Sequence, residues 1–201
     1  MHSIFDSIRR ALALVCAVVI AGALAACGGS GDEVLVREAA TTLMETFKGA
    51  ESGSIDDLVD DGTAEMLESY GLDKTEFFSH IFKNIDYEIT GVTVDGDKAE
   101  VAMTVSNVSL EAALNSAAEK FNEFAATQEA LELFSADGEQ SLFTKLFEFF
   151  YEVIDSGELS PVTTETVLHC TKVDGVWDAP LEENADFMSA LYGGSQLENL
   201  V

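Results

Sequence analysis

Apolar and polar residues alternate along this chain with two different periods, and each period predicts one type of secondary structure. From Asp32 to Lys48 the apolar residues recur at spacings of three and four, as in an amphipathic helix that packs one face on a core. Shorter helical segments follow: one capped by Ser54, one beginning at Thr63, and one from Lys74 to Lys83 capped by Asp73. The first part of the folded region is therefore predicted to be helical.

Two hairpins are predicted where the period changes from that of a helix to that of a strand. The inward positions of the first hairpin are Ile85, Tyr87, Ile89, Val92, Val94, Ala99, Val101, Met103 and Val105. Gly91 shifts the phase of this alternation, which predicts a bulge or bend. Asp95-Gly96-Asp97 supplies the first turn, and Asp174-Gly175 joins a second pair of strands, Val162 to Val173 and Val176-Trp177. We therefore expect an antiparallel sheet of about four strands.

Between the hairpins lie two long helical segments, Ser109 to Phe134 and Glu139 to Ile154, separated by Gly138. The chain has 13 phenylalanines, and these segments contain Phe121, Phe124, Phe134, Phe143, Phe147, Phe149 and Phe150. Apolar residues at helical spacing usually form core, so we expect these rings to pack on the concave face of the sheet, against Ile85, Tyr87, Val101 and Met103. The alternative is an apolar groove formed by Phe143, Phe147 and Phe150, which would hold a lipid tail or an amphipathic helix of a partner.

The predicted elements together make one α+β domain over residues 32–192. Its curled antiparallel sheet packs with helices, and the Phe-rich helical pair is inserted between the two hairpins. Leu181 to Tyr192 is predicted to form a closing helix, and Gly193 to Val201 a flexible tail.

The first residues have the pattern of a signal peptide. Arg9 and Arg10 precede an apolar run from Ala11 to Ala26 that ends in small residues. The run is shorter than the roughly 20 residues that span a bilayer, which argues against a permanent transmembrane helix. We expect residues 1–26 to be a targeting segment that is removed.

Leu24-Ala25-Ala26-Cys27 resembles the lipobox of bacterial lipoproteins. The resemblance implies cleavage before Cys27 and attachment of lipid to its thiol, which is a good nucleophile as the thiolate. Leu24 completes the motif, and the small side chains of Ala25 and Ala26 leave room for the peptidase. Residues 27–31 would then be a lipidated cysteine with a flexible Gly/Ser tether. Two or more acyl chains anchor a protein stably, so we expect a lipid-anchored protein on the extracytoplasmic face of the cell membrane.

Acidic residues dominate the charge, which is formally −27 at pH 7. Such a field repels nucleic acid, so we expect no nucleic-acid partner. The acid excess is typical of a solvated surface and favours basic partners. The membrane, reached through the lipid on Cys27, is the first expected partner, and an envelope protein or an apolar ligand is the second.

The order of these features resembles that of small bacterial lipoproteins whose domain is similar to nuclear transport factor 2. The features are the lipobox, the glycine tether, the opening helix, the Tyr87-x-Ile89 strand and the hairpin ending in Lys172-Val173-Asp174-Gly175-Val176-Trp177. The resemblance covers about Asp32 to Asn107 and Pro161 to Trp177, and the Phe-rich helices are larger than that pattern requires. It implies a sheet curled around helices into an open cone, used as a pocket or a docking surface. It leaves the function open.

Metal sites and cofactors are not predicted. His169 and Cys170 are adjacent in a strand and point to opposite faces, and Cys170 is the one thiol outside the export region, so no zinc motif or internal disulfide arises. The acidic pairs Asp56-Asp57 and Asp60-Asp61 lack the ligand spacing of a calcium-binding loop.

No catalytic motif is present. The resemblance implies a candidate general base, since some relatives of this fold use a pocket aspartate or histidine in that role. Asp86, His80 and Asp155 are the candidates here, but nothing in the sequence selects one of them. We therefore expect a non-catalytic binding module, with a pocket enzyme of isomerase or hydrolase type as the alternative.

Overall fold

Helices and strands alternate in blocks in the computed structural model, which describes residues 19–20, 30–55, 58–59 and 61–195. The helices are α1 (Ser30–Lys48), α2 (Asp61–Ser69), α3 (Lys74–Phe82), α4 (Leu110–Ala125), α5 (Gln128–Asp137), α6 (Glu139–Ser156) and α7 (Ala185–Leu191), with 3-10 turns at Ala50–Ser52 and Leu181–Glu183. The strands are β1 (Val19–Ile20), β2 (Asp86–Asp95), β3 (Lys98–Asn107), β4 (Val162–Val173) and β5 (Val176–Asp178). Among the described residues, no helix combines the length and the apolar character needed to cross a membrane.

The strands form one curled, unclosed antiparallel sheet in the order β1-β5-β4-β3-β2. β2 and β3 make the first hairpin, and their register shifts between Ile89 and Gly91, which confirms the bulge expected at that glycine. β3 pairs with β4 along its whole length, from Lys98 opposite Thr171 to Asn107 opposite Val162. The predicted antiparallel sheet is confirmed, and β1 adds two residues at the outer side of β5.

The inner face of the sheet is covered by helices from the two ends of the chain. α1 lies against β2, β3 and β5, while α7 lies against β3 and β4. Their large rings, Phe47 and Phe187, are fully buried with the inward residues of β3, Val101 and Val105. Burial of each such side chain contributes roughly 1.5–3 kcal/mol, so this layer is the main stabilising contact of the sheet.

The Phe-rich helices form a separate layer instead of packing directly on the sheet. α4, α5 and α6 make their main contacts with one another and with α3. The ring of Phe143 stacks near that of Tyr70 at 4.5 Å, and Phe147 lies 5.9 Å from Phe77. The expected packing against Ile85, Tyr87, Val101 and Met103 is therefore not the main contact, because α1 and α7 already occupy the face of the sheet.

The helix predicted from Ser109 to Phe134 is two helices. Ser109 caps the first as expected, accepting a hydrogen bond from the backbone N–H of Ala112. Thr127 ends the continuity, because its Oγ1 accepts from the N–H of Ala130 at 3.2 Å and donates to the carbonyl oxygen of Phe124 at 2.6 Å. A threonine that bonds the backbone locally favours a new helix start over a helix interior, and α5 begins at the next residue.

Caps nearer the start of the chain follow the sequence in one case and depart from it in another. Asp73 caps α3 as predicted, with its Oδ1 accepting from the N–H of Glu76 at 2.8 Å. The Ser54 hydroxyl, expected to cap a helix, donates instead to the carbonyl oxygen of Thr46 at 2.6 Å. Helix α2 begins at Asp61, two residues before the predicted start at Thr63.

The closing segment is interrupted at Asn184. The helix predicted over Leu181 to Tyr192 is a 3-10 turn followed by the shorter α7. After α7, Ser195 is buried, and its Oγ accepts from the N–H of Glu111 at 3.0 Å at the start of α4. The first residues of the expected tail are thus packed on α4, and residues 196–201 lie outside the described part of the chain.

Candidate binding site

One edge of β4 has no strand beside it over most of its length. β5 pairs only with residues 171–173 of β4. Lys172 donates its N–H to Asp97 on the β3 side, so the backbone groups of the odd-numbered residues of β4 face the other way. Beyond β5, the backbones of Glu165 and Val167 therefore point toward a side where the described residues place no strand.

Asn184 takes the place of one residue of a neighbouring strand. The backbone N–H of His169 donates to Asn184 Oδ1 at 2.7 Å, and Asn184 Nδ2 donates to the carbonyl oxygen of His169 at 3.1 Å. Asn184 Nδ2 also donates to the carbonyl oxygen of Pro180 at 2.8 Å, and the residue is only 2% exposed. A buried amide with this many hydrogen bonds is a rigid end point for the open part of the edge.

A groove of about 620 Å³ lies along this open edge. It is lined by residues 164–167 of β4, by 183–186 and Ser189 at α7, and by His169 and Glu100. α7 begins beside His169, and Gly194, just after the helix, lies next to Thr164 and Val162. The helix packs on the inner face of β3 and β4 and therefore borders the groove on that side; we call this groove the β4-edge groove.

The β4-edge groove is negatively charged. Four carboxylates line it: Glu100, Glu165, Glu183 and Asp186. His169 is the basic side chain of this lining, and its Nδ1 lies 3.8 Å from Glu100 Oε1, with both side chains largely exposed. Thr166 also lines the groove, is 8% exposed, and its Oγ1 has no hydrogen-bond partner among the described residues. The groove thus combines unpaired backbone groups, a buried hydroxyl and negative potential.

The three rings considered for an apolar groove lie in the core. Phe143 is 5% exposed, Phe147 is 2% exposed and Phe150 is 1% exposed. Phe147 lies within 6 Å of the rings of Phe143, Phe150 and Phe77. Because neighbouring rings enclose these side chains, they do not line an open groove in this structure.

A second hollow, of about 640 Å³, lies between α5 and α6. Its apolar lining consists of Phe124 and Leu133, and Lys145 stands at its edge. Lys145 Nζ is 2.7 Å from Glu148 Oε2 and lies over the rings of Phe124 and Phe149, at 5.8 and 5.1 Å from their centroids. The hydrogen bond that Lys145 donates to Glu148 raises the pKa of Lys145, so this cation already has its partners within the domain.

The general-base candidates named from the sequence fall in two places. His80 Nδ1 lies 3.2 Å from Asp155 Oδ1, and Lys83 Nζ lies 2.8 Å from the same oxygen. The imidazole of His80 stacks on the ring of Tyr151 with centroids 4.1 Å apart. Asp86 instead pairs with Lys48 at 3.1 Å. None of these residues lines the β4-edge groove or the hollow between α5 and α6.

Tyr151 is partly buried beside the His80–Asp155 pair, and its Oη is fully covered. Burial raises the pKa of its hydroxyl, with a further contribution from the charge of Glu76. Its Oη has no hydrogen-bond partner among the described residues. The phenol therefore stays protonated, and the ring acts mainly as a packing surface for His80.

Cys170 is a packed thiol. It is buried on the inner face of β4, and burial raises its pKa to about 12. A thiol that stays protonated is a poor nucleophile and a poor metal ligand. Within the described part of the chain, no group of three or more His, Cys, Asp or Glu residues is placed to hold a metal ion.

Other residues singled out from the sequence lie outside the described part. They are the lipobox Leu24, Ala25, Ala26 and Cys27, together with Asp56, Asp57 and Asp60. The β4-edge groove, in contrast, was not predicted. Pro180 signals that β5 ends early, but the position of Asn184 on β4 depends on tertiary contacts.

Comparison with known proteins adds one similarity. No protein-family model matches the chain, and neither does any curated protein. Among solved structures, the chain is similar to a candidate lipoprotein of Bacillus subtilis, YcdA, with a TM-score of 0.41 and 16% sequence identity. The similarity covers 81% of this chain and 60% of the other, so the chain spans less than two thirds of that protein. A function for this chain has to be inferred from its own residues.

Proposed function

We propose that this protein is a lipid-anchored module of the extracytoplasmic face of the cell membrane, and that it acts by binding a partner. The observation that carries the anchor is the sequence Leu24-Ala25-Ala26-Cys27 at the end of an apolar run. Small residues before a cysteine, after a basic and an apolar segment, are what a lipoprotein signal requires. The thiol of Cys27 would carry the lipid, which stabilises membrane attachment by roughly 0.8 kcal/mol per buried CH₂.

The start of the folded domain fits this arrangement. Helix α1 begins at Ser30, so only Gly28 and Gly29 separate it from Cys27 in the sequence. Three residue steps span at most about 10 Å, which would hold the first turn of α1 close to the head groups. A domain held this close presents its surface to other envelope components. We include in this proposal that the domain is similar to the cone-shaped domains of nuclear transport factor 2, because its curled antiparallel sheet has helices on the inner face.

Binding without catalysis is supported by the character of the β4-edge groove. The titratable side chains that line it are carboxylates and one largely exposed histidine, and no nucleophile stands beside a base. Unpaired backbone groups on a strand edge are a common means of holding another chain.

A second candidate function, an enzyme of isomerase or hydrolase type, would use the His80–Asp155 pair. An aspartate bonded to a histidine is a common arrangement for a general base. Lys83 binds the same oxygen of Asp155, however, and joins α3 to α6. This geometry fits an ion pair between helices better than a catalytic pair facing a substrate.

The anchor is tested by replacing Cys27 with Ser and following incorporation of labelled palmitate in cells. We expect the label to be lost and the precursor to remain uncleaved, because a serine hydroxyl does not replace the thiolate as nucleophile. Cys16→Ser is the matched control, since it removes a thiol from the same apolar run and leaves the lipobox intact. Unchanged labelling in Cys27→Ser would contradict the proposed anchor.

A further inference from the structure

We propose that the β4-edge groove binds an extended polypeptide segment rich in lysine or arginine, which joins the sheet as an additional strand. Such a segment would be the partner in the binding role proposed above, and its binding does not require the lipid on Cys27. The backbone N–H and C=O groups of Glu165 and Val167 point away from β3, and the described residues place no strand beside them. Unpaired N–H and C=O groups along an edge are a template for a further strand.

The groove has the shape that strand addition needs. Asn184 closes the edge at His169 with two hydrogen bonds of strand type, and α7 lines the side of the open part. A strand added to β4 would run about 4.7–4.9 Å from it in the plane of the sheet, with α7 on its inner side. Peptide recognition at a strand edge beside a helix uses backbone bonds for affinity and side-chain contacts for specificity.

Charge complementarity identifies the partner as basic. Glu100 lies opposite His169 in the register of β3 and β4, so Glu100 and Glu165 share the outer face of the sheet. Glu183 and Asp186 lie on the other side of the edge, at the start of α7. Alternate side chains of an added strand point to opposite faces, so lysines or arginines on both faces would each meet a carboxylate.

Thr166 adds an observation that does not depend on charge. It is more than nine-tenths buried and lines the groove, yet its Oγ1 has no hydrogen-bond partner among the described residues. Buried hydroxyls in folded proteins are nearly always hydrogen-bonded. This edge of the sheet is therefore not fully hydrogen-bonded within the described residues.

Other occupants fit less well. A second copy would bring another chain with a formal charge of −27 to the same acidic groove. The chain's own residues 196–201 include Glu198 and no lysine or arginine. Both would place like charges together, which weakens strand pairing.

The test uses the full chain carrying Cys27→Ser in a neutral detergent, so that the result is separate from lipid attachment. The probe is a fluorescent peptide of nine residues in which two lysines and one valine repeat, so that both faces of the strand carry lysines, and its binding is followed by anisotropy. We expect saturable binding, with slower hydrogen exchange at the backbone amides of Glu165 and Val167. Methylation of alternate peptide nitrogens should weaken binding by about tenfold or more, because it removes the backbone hydrogen bonds and keeps the charge.

Two protein variants localise the binding. Val167→Pro removes an N–H that faces the open edge and leaves the ladder to β3 intact, so it should reduce affinity by about tenfold or more. Glu165→Gln with Glu183→Gln should weaken binding severalfold and lower its dependence on salt. The matched control, Glu119→Gln with Glu123→Gln on α4, changes the net charge equally and should leave affinity unchanged.

Several results would overturn the proposal. One is binding of the methylated peptide with the same affinity as the unmethylated one, which would indicate electrostatic attraction without strand pairing. Slow exchange of the Glu165 and Val167 amides without peptide would also contradict the proposal. If this protection disappears on deletion of residues 196–201, the tail occupies the groove. If the protection increases with protein concentration, another copy of the chain occupies the groove. Unchanged palmitate labelling in Cys27→Ser would contradict the anchor and leave these binding results unaffected, so the two proposals fail separately.

Discussion

The Phe-rich helical layer and the open edge of β4 differ in how far their side chains and backbone groups find partners within the domain. In the layer of α4, α5 and α6, rings such as Phe147 and Phe150 are enclosed by other rings and are almost fully buried. At the edge of β4, the backbones of Glu165 and Val167 face a groove, and the Thr166 hydroxyl lacks a partner among the described residues. The rings of the first region pack on one another, whereas the backbone groups of the second have no strand beside them among the described residues.

This difference shows where to look for a partner surface. A cluster of aromatic residues draws attention in a sequence, but apolar groups gain most by packing on one another. Unpaired backbone groups are invisible in a sequence, because every residue except proline carries the same N–H and C=O. An open strand edge such as that of β4 depends on strand pairing, here on the early end of β5, and it is therefore visible only in the structure.

The largest expected effect is on the helical layer. Phe147→Ala should destabilise the domain by about 3–5 kcal/mol, because it removes a buried ring and leaves a cavity among Phe77, Phe143 and Phe150. Urea unfolding measures this change. Phe134→Ala is the control, since Phe134 is 52% exposed and its replacement should cost less than about 0.5 kcal/mol.

The same pair of variants separates a core from a groove. If the helical layer held an apolar ligand, Phe147→Ala would release it with little loss of stability, and native mass spectrometry would show the ligand in the parent protein. Such an outcome would remove the contrast between the closed layer and the open edge.

The sequence predicted the sheet well because its period is local. Inward positions such as Val101 and Val105, the bulge at Gly91 and the Asp73 cap all depend on residues close in the chain, and all are confirmed. The break at Thr127 was missed because a threonine between two apolar helical segments fits a helix interior equally well by pattern. The position of Asn184 on β4 was missed because its hydrogen bonds span 15 residues.

The second expected effect is at the boundary of the open edge. Asn184→Ala should destabilise the domain by about 1–3 kcal/mol, because the partly buried N–H and C=O of His169 lose their hydrogen-bond partner. Hydrogen exchange at the His169 amide should become faster, while the amide of Lys172, bonded to Asp97, should stay protected. Asn122→Ala on the exposed side of α4 is the matched control, with an expected change below about 0.5 kcal/mol. An unchanged exchange rate at His169 would show that Asn184 does not hold the edge.

The smallest expected effect concerns the ion pair between α3 and the Phe-rich layer. Burial acts to raise the pKa of Asp155, but hydrogen bonds from Lys83 and His80 outweigh it and hold that pKa below its usual range. A carboxyl with a depressed pKa in the folded state stabilises the fold above its unfolded pKa, and this contribution is lost as the pH falls through the folded value. Asp155 is 37% exposed, so solvent screening limits the contribution to less than about 1 kcal/mol. Asp155→Asn should therefore lower the free energy of unfolding slightly near pH 7, and the difference from the parent should shrink toward about pH 3. Urea unfolding of both proteins across that range measures the difference, with Glu152→Gln as a control from the longer, more exposed pair with Lys120. A difference that grows as the pH falls would contradict the depressed pKa. Equal stability of the two proteins at every pH would show that the junction of α3 with the Phe-rich layer depends on packing of His80 on Tyr151 instead of on the charge of Asp155.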